Sequence, residues 1–142
     1  MAKFPVSLKA RLILEDAGKF LFLRQTKKNG GRYSLVGGTI EREEYAAQTL
    51  IRESREEAGI LITPNDLSLV HVLHKRYKRE HRIVLYFKAF AYEGTPESRE
   101  TEKFRNVAWL PLNDLPAEVS PTVRHAIEEG LNKGLIYSEM EK

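Results

Sequence analysis

The chain has 142 residues, of which 42% are hydrophobic and 30% are charged, and its formal net charge is +3. These values are typical of one globular domain, predicted here over residues 1–142, and they argue against an extended nucleic-acid-binding surface. The sequence has no cysteine, which excludes disulfides and thiolate metal sites and leaves oxygen and nitrogen as metal ligands. Because no apolar segment is as long as a membrane span or resembles a signal peptide, we expect a cytoplasmic protein without membrane contact.

Apolar periodicity predicts strands and two helices along the chain. Branched residues mark the strands, glycine-containing turns separate several of them, and a glycine closes each helix. The strands are predicted over 6–16, 19–25, 33–38, 66–77, 81–94 and 105–112. The helices are predicted over 44–58 and 120–134. Strands around an early helix and a late helix indicate a mixed sheet with helices packed on it.

The early helix carries an unusual concentration of acidic residues. Within GGTIEREEYAAQTLIRESREEAGI (37–60), Glu53, Glu56 and Glu57 are spaced i, i+3 and i+4, so they share one face of a helix. Each such like-charge pair costs roughly 0.2–0.5 kcal/mol on an exposed helix. A cation should compensate this cost: Arg52 lies one turn before Glu56, and a divalent ion such as Mg²⁺ favours carboxylate oxygens. On the helical pattern alone, a solvated charged face is an equally good interpretation.

The wider spacing around these glutamates resembles the Nudix box, G-x5-E-x7-R-E-U-x-E-E-x-G-U, in which U is a bulky aliphatic residue. The segment from Gly38 to Ile60 matches every fixed glycine and charged position. Ser54 departs from the first aliphatic position. Because that position lies on the apolar face of the helix, we expect a packing defect or a buried hydroxyl rather than altered chemistry. The flanking sequences YSLVGG (33–38) and VAWLPLNDLP (107–116) are also similar to the family.

The resemblance implies a mixed α/β (α+β) fold, the Nudix α/β/α sandwich around a mixed central β-sheet, and it implies a function. Nudix enzymes hydrolyse a nucleoside diphosphate linked to another moiety, with Mg²⁺ or Mn²⁺ as the cofactor. By this resemblance Glu56 and Glu57 are metal ligands, and Glu53 is a third ligand or orients or deprotonates the attacking water. Arg52 would hold the glutamates in position, and Glu44 would support them.

Further site residues are suggested outside the helix. The resemblance implies that Glu100, in a charged loop, adds a metal ligand or the base, although a solvated loop is an equally good interpretation. Gly37 and Gly38 would let the backbone approach the metal or a phosphate closely. Arg24 and Arg32 flank a basic loop and are candidates for binding substrate phosphates.

The segment HKRYKREHR (74–82) lies near the tip of a predicted hairpin and interleaves basic residues with Tyr77. Basic residues beside an aromatic ring are one way to bind and stack a nucleotide base. A solvated hairpin tip is the more common meaning of such a pattern, and we expect that here.

The resemblance leaves several substrate classes open, because the box recognises a pyrophosphate and not a base. The compact chain and the segment YFKAFAYEGTPESRETEK (86–103) resemble nucleotide-directed members of the family, which implies a nucleoside triphosphate, oxidised or non-standard, converted to monophosphate and pyrophosphate. Hydrolysis of ADP-ribose, a nucleotide sugar or a dinucleoside polyphosphate is the alternative. The intact glutamates disfavour a non-catalytic binding module, and the low net charge disfavours an RNA 5′-end hydrolase. The expected partner is therefore a small nucleotide rather than a nucleic acid, and a homodimer stays open.

Overall fold

The computed structural model describes residues 3–142, which form eight strands and two helices. The strands are β1 (Val6–Asp16), β2 (Lys19–Gln25), β3 (Tyr33–Ser34), β4 (Gly37–Thr39), β5 (Ser68–Arg76), β6 (His81–Ala89), β7 (Phe104–Leu110) and β8 (Tyr137–Glu141). The long strand β1 is central, because it pairs in parallel with β6 and antiparallel with β2 and β4. The sheet is therefore mixed, in the order β3-β2-β1-β6-β5-β8, with β4 beside β1 and β7 beside β2.

Both helices change their winding before they end. Helix α1 runs over Ala46–Glu53 and continues as a π-helical turn over Ser54–Ala58, after which Gly59 adopts a φ of 68° and stops it. Helix α2 runs over Pro121–Ala126 and continues as a π-helical turn over Ile127–Asn132. Such turns are rare and often coincide with functional sites, and the first one contains two of the predicted site glutamates.

The two helices cover opposite faces of the sheet, because alternate residues of β1 point in opposite directions. Leu12 and Leu14 belong to one buried cluster with Leu50 of α1. Ile13, which lies between them in the chain, belongs to a second buried cluster with Val123 of α2. These two cores confirm the predicted α/β/α sandwich and place α1 against β1 and β4.

The structure departs from the sequence prediction at three strands. The strand predicted over 33–38 is divided into β3 and β4 by Leu35 and Val36, which are buried. The strand predicted over 81–94 ends at Ala89. The edge strand β8 was not predicted, because its residues are mostly polar. It is a strand because it pairs in parallel with β5. In the part of the chain that the structure describes, no helix is both long and apolar enough to cross a membrane.

Candidate active site

One guanidinium group connects three of the predicted site glutamates. Arg52 donates through Nε and Nη2 to the two oxygens of Glu44, at 2.7 and 3.0 Å. Its Nη1 donates to Glu53 Oε1 at 2.6 Å and to Glu56 Oε2 at 3.2 Å. The predicted ion pair between Arg52 and Glu56 is therefore present, and the same group orients two further carboxylates. These four residues are termed the acidic cluster.

Within the acidic cluster, Glu44 is linked to the other two glutamates by Arg52. It precedes α1, where the chain is still a loop, and it accepts further hydrogen bonds from Thr49 Oγ1 at 2.9 Å and from the Glu41 N–H at 3.1 Å. The hydrogen bond from Arg52 holds the pKa of Glu44 at about 2, below the ordinary 4.5 of a glutamate. Glu44 is therefore ionised at neutral pH and keeps Arg52 in place.

Glu57 is a buried carboxylate, with only 6% of its surface exposed. Its Oε1 accepts a hydrogen bond from the Gly37 N–H at 2.9 Å, and it forms no ion pair within residues 3–142. Burial raises the pKa of Glu57 to about 8; the charges of Glu53 and Glu100 add to the rise, while Gly37 and Arg11 oppose it. An uncompensated buried charge is costly, so a cation bound here would stabilise the ionised carboxylate.

Glu53 is half-buried beside the glycine pair. Burial raises the pKa of Glu53, and its interaction with Glu56 adds to the rise. A Cβ on Gly38 would lie 2.4 Å from Glu53 Oε2, so the absence of a side chain at Gly38 leaves room for this carboxylate. A Cβ on Gly37 would lie 2.1 Å from the carbonyl oxygen of Ala10. Both glycines therefore permit close packing, and their approach to a metal or phosphate stays a prediction.

The carboxylates of this region supply the hard oxygen ligands that Mg²⁺ and Mn²⁺ take. Residues 3–142 contain no three carboxylate or histidine side chains already gathered around a common metal position, and the Arg52 guanidinium contacts both Glu53 and Glu56. The donor chemistry still fits a divalent ion, because Glu53 and Glu57 are desolvated carboxylates and Glu57 makes no ion pair within the described residues. The donor set thus supports the predicted metal site without showing its geometry.

The two other predicted ligands are more exposed. The side chain of Glu56 is half-exposed, and that of Glu100 is 25% exposed with its Oε2 at 3.5 Å from Lys103 Nζ. The loop of Glu100 is joined to the end of α1, because the Arg99 N–H donates to the Glu57 carbonyl oxygen at 3.0 Å. Since the charge of Glu100 also raises the pKa of Glu57, the structure brings these two carboxylates near one another.

The two predicted phosphate-binding arginines differ in their surroundings. Arg24 Nη1 donates to Tyr33 Oη at 3.1 Å, and its guanidinium lies over the Tyr33 ring at 4.8 Å. Arg32 lines a cavity of about 350 Å³ whose wall includes Glu57 and Gly37. Among the described residues, Arg32 but not Arg24 faces this cavity.

Most cations of this cavity are absent from the sequence prediction. Besides Arg32, its lining includes Lys9, Arg11, Arg82 and Lys103. The sequence contains a pattern that could have identified Lys9 and Arg11, because they alternate on a predicted strand and therefore share one of its faces. Arg82 and Lys103 come from distant segments, and only the fold brings them to the same cavity.

Ser54, the departure from the box, is fully buried, and within the described chain its hydroxyl has no hydrogen-bond partner. The buried hydroxyl that the sequence predicted is therefore present. A buried polar group without a partner costs about 1–3 kcal/mol, so this position lowers stability without contacting the acidic cluster through its hydroxyl.

A mixed sheet between two helices, with the glutamate-rich helix against its central strand, is the architecture of a Nudix domain. A family model of the NUDIX domain matches residues 6–129, and the chain belongs to this family. The MutT NUDIX hydrolase from Burkholderia pseudomallei superposes with a TM-score of 0.78 at 23% identity, over 89% of this chain and 98% of that one. At this identity the superposition supports the fold alone.

Two curated relatives carry functional names. The chain is 29% identical over 89 residues to the 8-oxo-dGTP diphosphatase of Escherichia coli (strain K12), which covers 61% of this chain and 67% of that protein. It is 27% identical over 115 residues to the NAD-capped RNA hydrolase NudC of Stutzerimonas stutzeri (strain A1501), over 80% of this chain and 40% of that protein. The chain spans less than half the length of the first curated relatives that it matches.

Proposed function

We propose that the chain is a hydrolase that uses Mg²⁺ or Mn²⁺ to cleave a phosphoanhydride bond in a nucleoside diphosphate linked to another moiety. The observation that carries the proposal is Glu57, a buried carboxylate on the wall of a cavity whose lining includes five cationic side chains. A divalent ion at Glu57 would neutralise the carboxylate, and the lining cations would attract the phosphates of the substrate. Membership of the Nudix family supports the same activity.

The proposed metal site uses carboxylates from two segments of the chain. Glu53 and Glu57 would hold the ion from α1 and its π-helical turn, and Glu56 and Glu100 would complete the set. When bound, the ion supplies charge neutralisation at the diphosphate and lowers the pKa of a coordinated water. The cationic residues of the cavity would bind the substrate beside it.

Glu53 has two alternative proposed roles, as a ligand of this ion or as the base. Arg52 holds its Oε1 at 2.6 Å, and its Oε2 lies against Gly38, so the side chain has one fixed orientation from which to align or deprotonate a water. Glu44 would act only through Arg52, by holding the guanidinium that positions Glu53. Glu100 is the second candidate for the base.

For the substrate we propose an oxidised or non-standard nucleoside triphosphate, hydrolysed to monophosphate and pyrophosphate. The similarity to the 8-oxo-dGTP diphosphatase of Escherichia coli supports this class. ADP-ribose, a nucleotide sugar or a dinucleoside polyphosphate is the alternative small substrate. The similarity to NudC favours a second candidate function, hydrolysis at an RNA 5′ end.

We further propose that residues 1–142 form one domain that acts in the cytoplasm on a small nucleotide. Light scattering on the purified chain decides between a monomer and a homodimer.

A substrate panel with Mg²⁺ tests the proposal. The panel contains oxidised and ordinary nucleoside triphosphates, nucleotide sugars, ADP-ribose, dinucleoside polyphosphates and 5′-capped RNA, with both products identified. We expect Glu57→Gln to lose more than about 100-fold in turnover, beyond the roughly 10–100-fold typical of residues that only support metal ligands. The cause is that an amide cannot supply the negative charge that the ion needs.

Glu43→Gln is the matched control, because Glu43 is an exposed glutamate of the loop before α1 and its loss should leave turnover unchanged. Wild-type turnover by Glu57→Gln would show that the ligand assignment is wrong. Absence of turnover for every compound in the panel would contradict the hydrolase proposal.

A further inference from the structure

One wall of the cavity belongs to a sheet face that carries four cations on three adjacent strands, and three of these cations line the cavity. Lys9 and Arg11 alternate on β1, and the parallel register places them beside Val84 and Tyr86 of β6. Arg82, two residues before Val84, therefore projects from the same face. Lys75 of β5 lies directly opposite Arg82 in the antiparallel register. Lys9, Arg11, Lys75 and Arg82 are termed the cationic wall.

Like charges directly opposite one another on neighbouring strands are destabilising, and the cationic wall contains such a pair. Lys75 is buried, and its Nζ donates to Thr122 Oγ1, a residue that lines the cavity. The Tyr77 ring lies 5.0 Å from Lys75 Nζ and 4.7 Å from the guanidinium carbon of Arg82. Cation–π contacts of this kind offset part of the repulsion but supply no negative charge.

Acidic partners for the wall are scarce. Lys9 donates to Thr39 Oγ1 at 3.0 Å and Arg11 to the Leu35 carbonyl oxygen at 3.2 Å, both neutral acceptors. Within the described residues the wall makes one ion pair, from Arg82 to Glu80 at 3.1 Å. Burial lowers the pKa of Lys9, and the charges of Arg11 and Arg82 lower it further, while the charges of Glu80 and Glu53 oppose the fall. The wall therefore holds positive charge that the protein itself leaves largely uncompensated.

Two buried polar atoms on this face also have no partner. Ser7 and Arg82 are neighbours in the parallel register of β1 and β6. Ser7 Oγ and Arg82 Nε are both buried, and neither has a hydrogen-bond partner within residues 3–142. Arg82 lines the cavity, so its unpartnered guanidinium N–H is a donor that an incoming anion would satisfy.

The cavity offers little surface to an uncharged base. Its lining aromatic residues are Tyr86 and Phe104, and only 1% and 9% of their surfaces are exposed. Stacking a base needs an accessible ring face, whereas binding a phosphate needs the fixed cationic donors that this wall presents.

We propose that this cavity is a phosphate-binding subsite, which holds a phosphate group of the substrate other than the pair bridged at the glutamates. The inference rests on the proposed function in one respect, namely that the diphosphate bridge lies beside Glu57. The extra phosphate has two sources: the end of a nucleotide's phosphate chain, or a phosphomonoester on the second moiety. In both cases the base lies outside the cavity, so the protein distinguishes substrates by their phosphates more than by their bases.

The first experiment measures binding without metal or catalysis. Inorganic pyrophosphate is titrated calorimetrically into the full chain in EDTA. We expect binding that weakens steeply with salt, and a loss of about tenfold or more in affinity for Arg82→Gln and for Lys9→Gln, since each removes a charged donor. Arg79→Gln, at an exposed position of the same hairpin, is the matched control and should bind as the wild type does.

Lys9→Gln keeps this test decisive if Arg82→Gln fails to fold, because Lys9 donates only to an exposed hydroxyl. No binding of pyrophosphate by the wild type, or an equal loss in Arg79→Gln, would overturn the subsite.

The second experiment uses substrate pairs that differ by one phosphate, with Mg²⁺ present. Nucleoside diphosphate and triphosphate differ in chain length, whereas NAD⁺ and NADP⁺ differ by one phosphomonoester. In one of the two pairs we expect the substrate with the extra phosphate to have at least a tenfold higher kcat/KM, and that pair identifies the source of the phosphate. We expect Arg82→Gln to remove this preference. Equal kcat/KM within both pairs would overturn the subsite and leave the hydrolase proposal intact. Failure of every substrate would count against the hydrolase proposal, and the metal-free titration would still decide the subsite.

Discussion

The acidic cluster and the cationic wall are both groups of like charges, but they are compensated in different ways. In the acidic cluster one guanidinium contacts all three carboxylates. On the cationic wall, one of four cations has an acidic partner among the described residues. An internal counterion fixes geometry before any ligand arrives, whereas missing counterions leave charge for the ligand to neutralise. The comparison suggests that the cluster is a positioning device and the wall is a binding surface.

Gly38→Ala is the sharpest way to break the acidic cluster without changing any charge. A Cβ would lie 2.4 Å from Glu53 Oε2, so the carboxylate must move. A displacement on the ångström scale costs about 100-fold in turnover, and we expect that loss in kcat with Mg²⁺. Because Gly38 does not have the positive φ of Gly37, thermal melting should show a folded variant. Wild-type kcat would show that the position of Glu53 is not needed for turnover.

Arg52→Gln removes the internal counterion, so the carboxylates of the acidic cluster, like the cations of the cationic wall, would lack an oppositely charged partner. We expect a loss of roughly 10–100-fold in kcat/KM, as for other residues that orient metal ligands. The variant should also gain more thermal stability from Mg²⁺ than the wild type, since the metal then compensates charges that Arg52 no longer does.

Arg55→Gln is the control for this variant, because Arg55 is an exposed arginine of the π-helical turn that directly follows α1. If Arg52→Gln and Arg55→Gln have the same kinetics and the same response to Mg²⁺, then Arg52 is not the counterion that positions the acidic cluster.

Ser54→Ala separates stability from charge. The hydroxyl of Ser54 is buried without a partner in the described chain, so its removal should stabilise the fold by about 1 kcal/mol and leave kcat unchanged. Urea unfolding and turnover measure the two effects. Ser54→Leu restores the aliphatic residue of the box, and this variant should also fold. A clear loss of stability would show that the site has no room for the leucine side chain.

The local part of the site was predictable from the sequence, and the rest depended on contacts between distant segments. The box lies within one helix and the loop before it, so the resemblance of its spacing to the Nudix box was enough to name Glu53, Glu56 and Glu57 as candidates. The contact of Arg52 with Glu44 was not predictable in its geometry, because Glu44 belongs to a loop whose path no periodicity describes. The π-helical turn was equally hidden, since a projection with 3.6 residues per turn assumes a regular α-helix.

The cationic wall shows more clearly what sequence patterns cannot predict. Lys9 and Arg82 are far apart in the chain and become neighbours only through the parallel pairing of β1 with β6. The basic segment 74–82 was interpreted as a solvated hairpin tip, yet Lys75 is buried and Arg82 lines the cavity. Alternation places Lys75 and Arg82 on the inner face of the hairpin, while Lys78 and Arg79 at its tip are exposed. Composition alone does not distinguish these two positions.

The hydrogen bond from the Gly37 N–H to Glu57 Oε1 joins a strand of the sheet to the end of α1. Because the magnetic environment of an amide proton depends on the charge of its acceptor, a sample labelled with ¹⁵N contains a natural reporter of Glu57. The Gly37 resonance should shift whenever that carboxylate gains a proton or a cation. Spectroscopy on the unmodified protein can therefore follow events at the proposed metal site without a dye, an engineered probe or turnover.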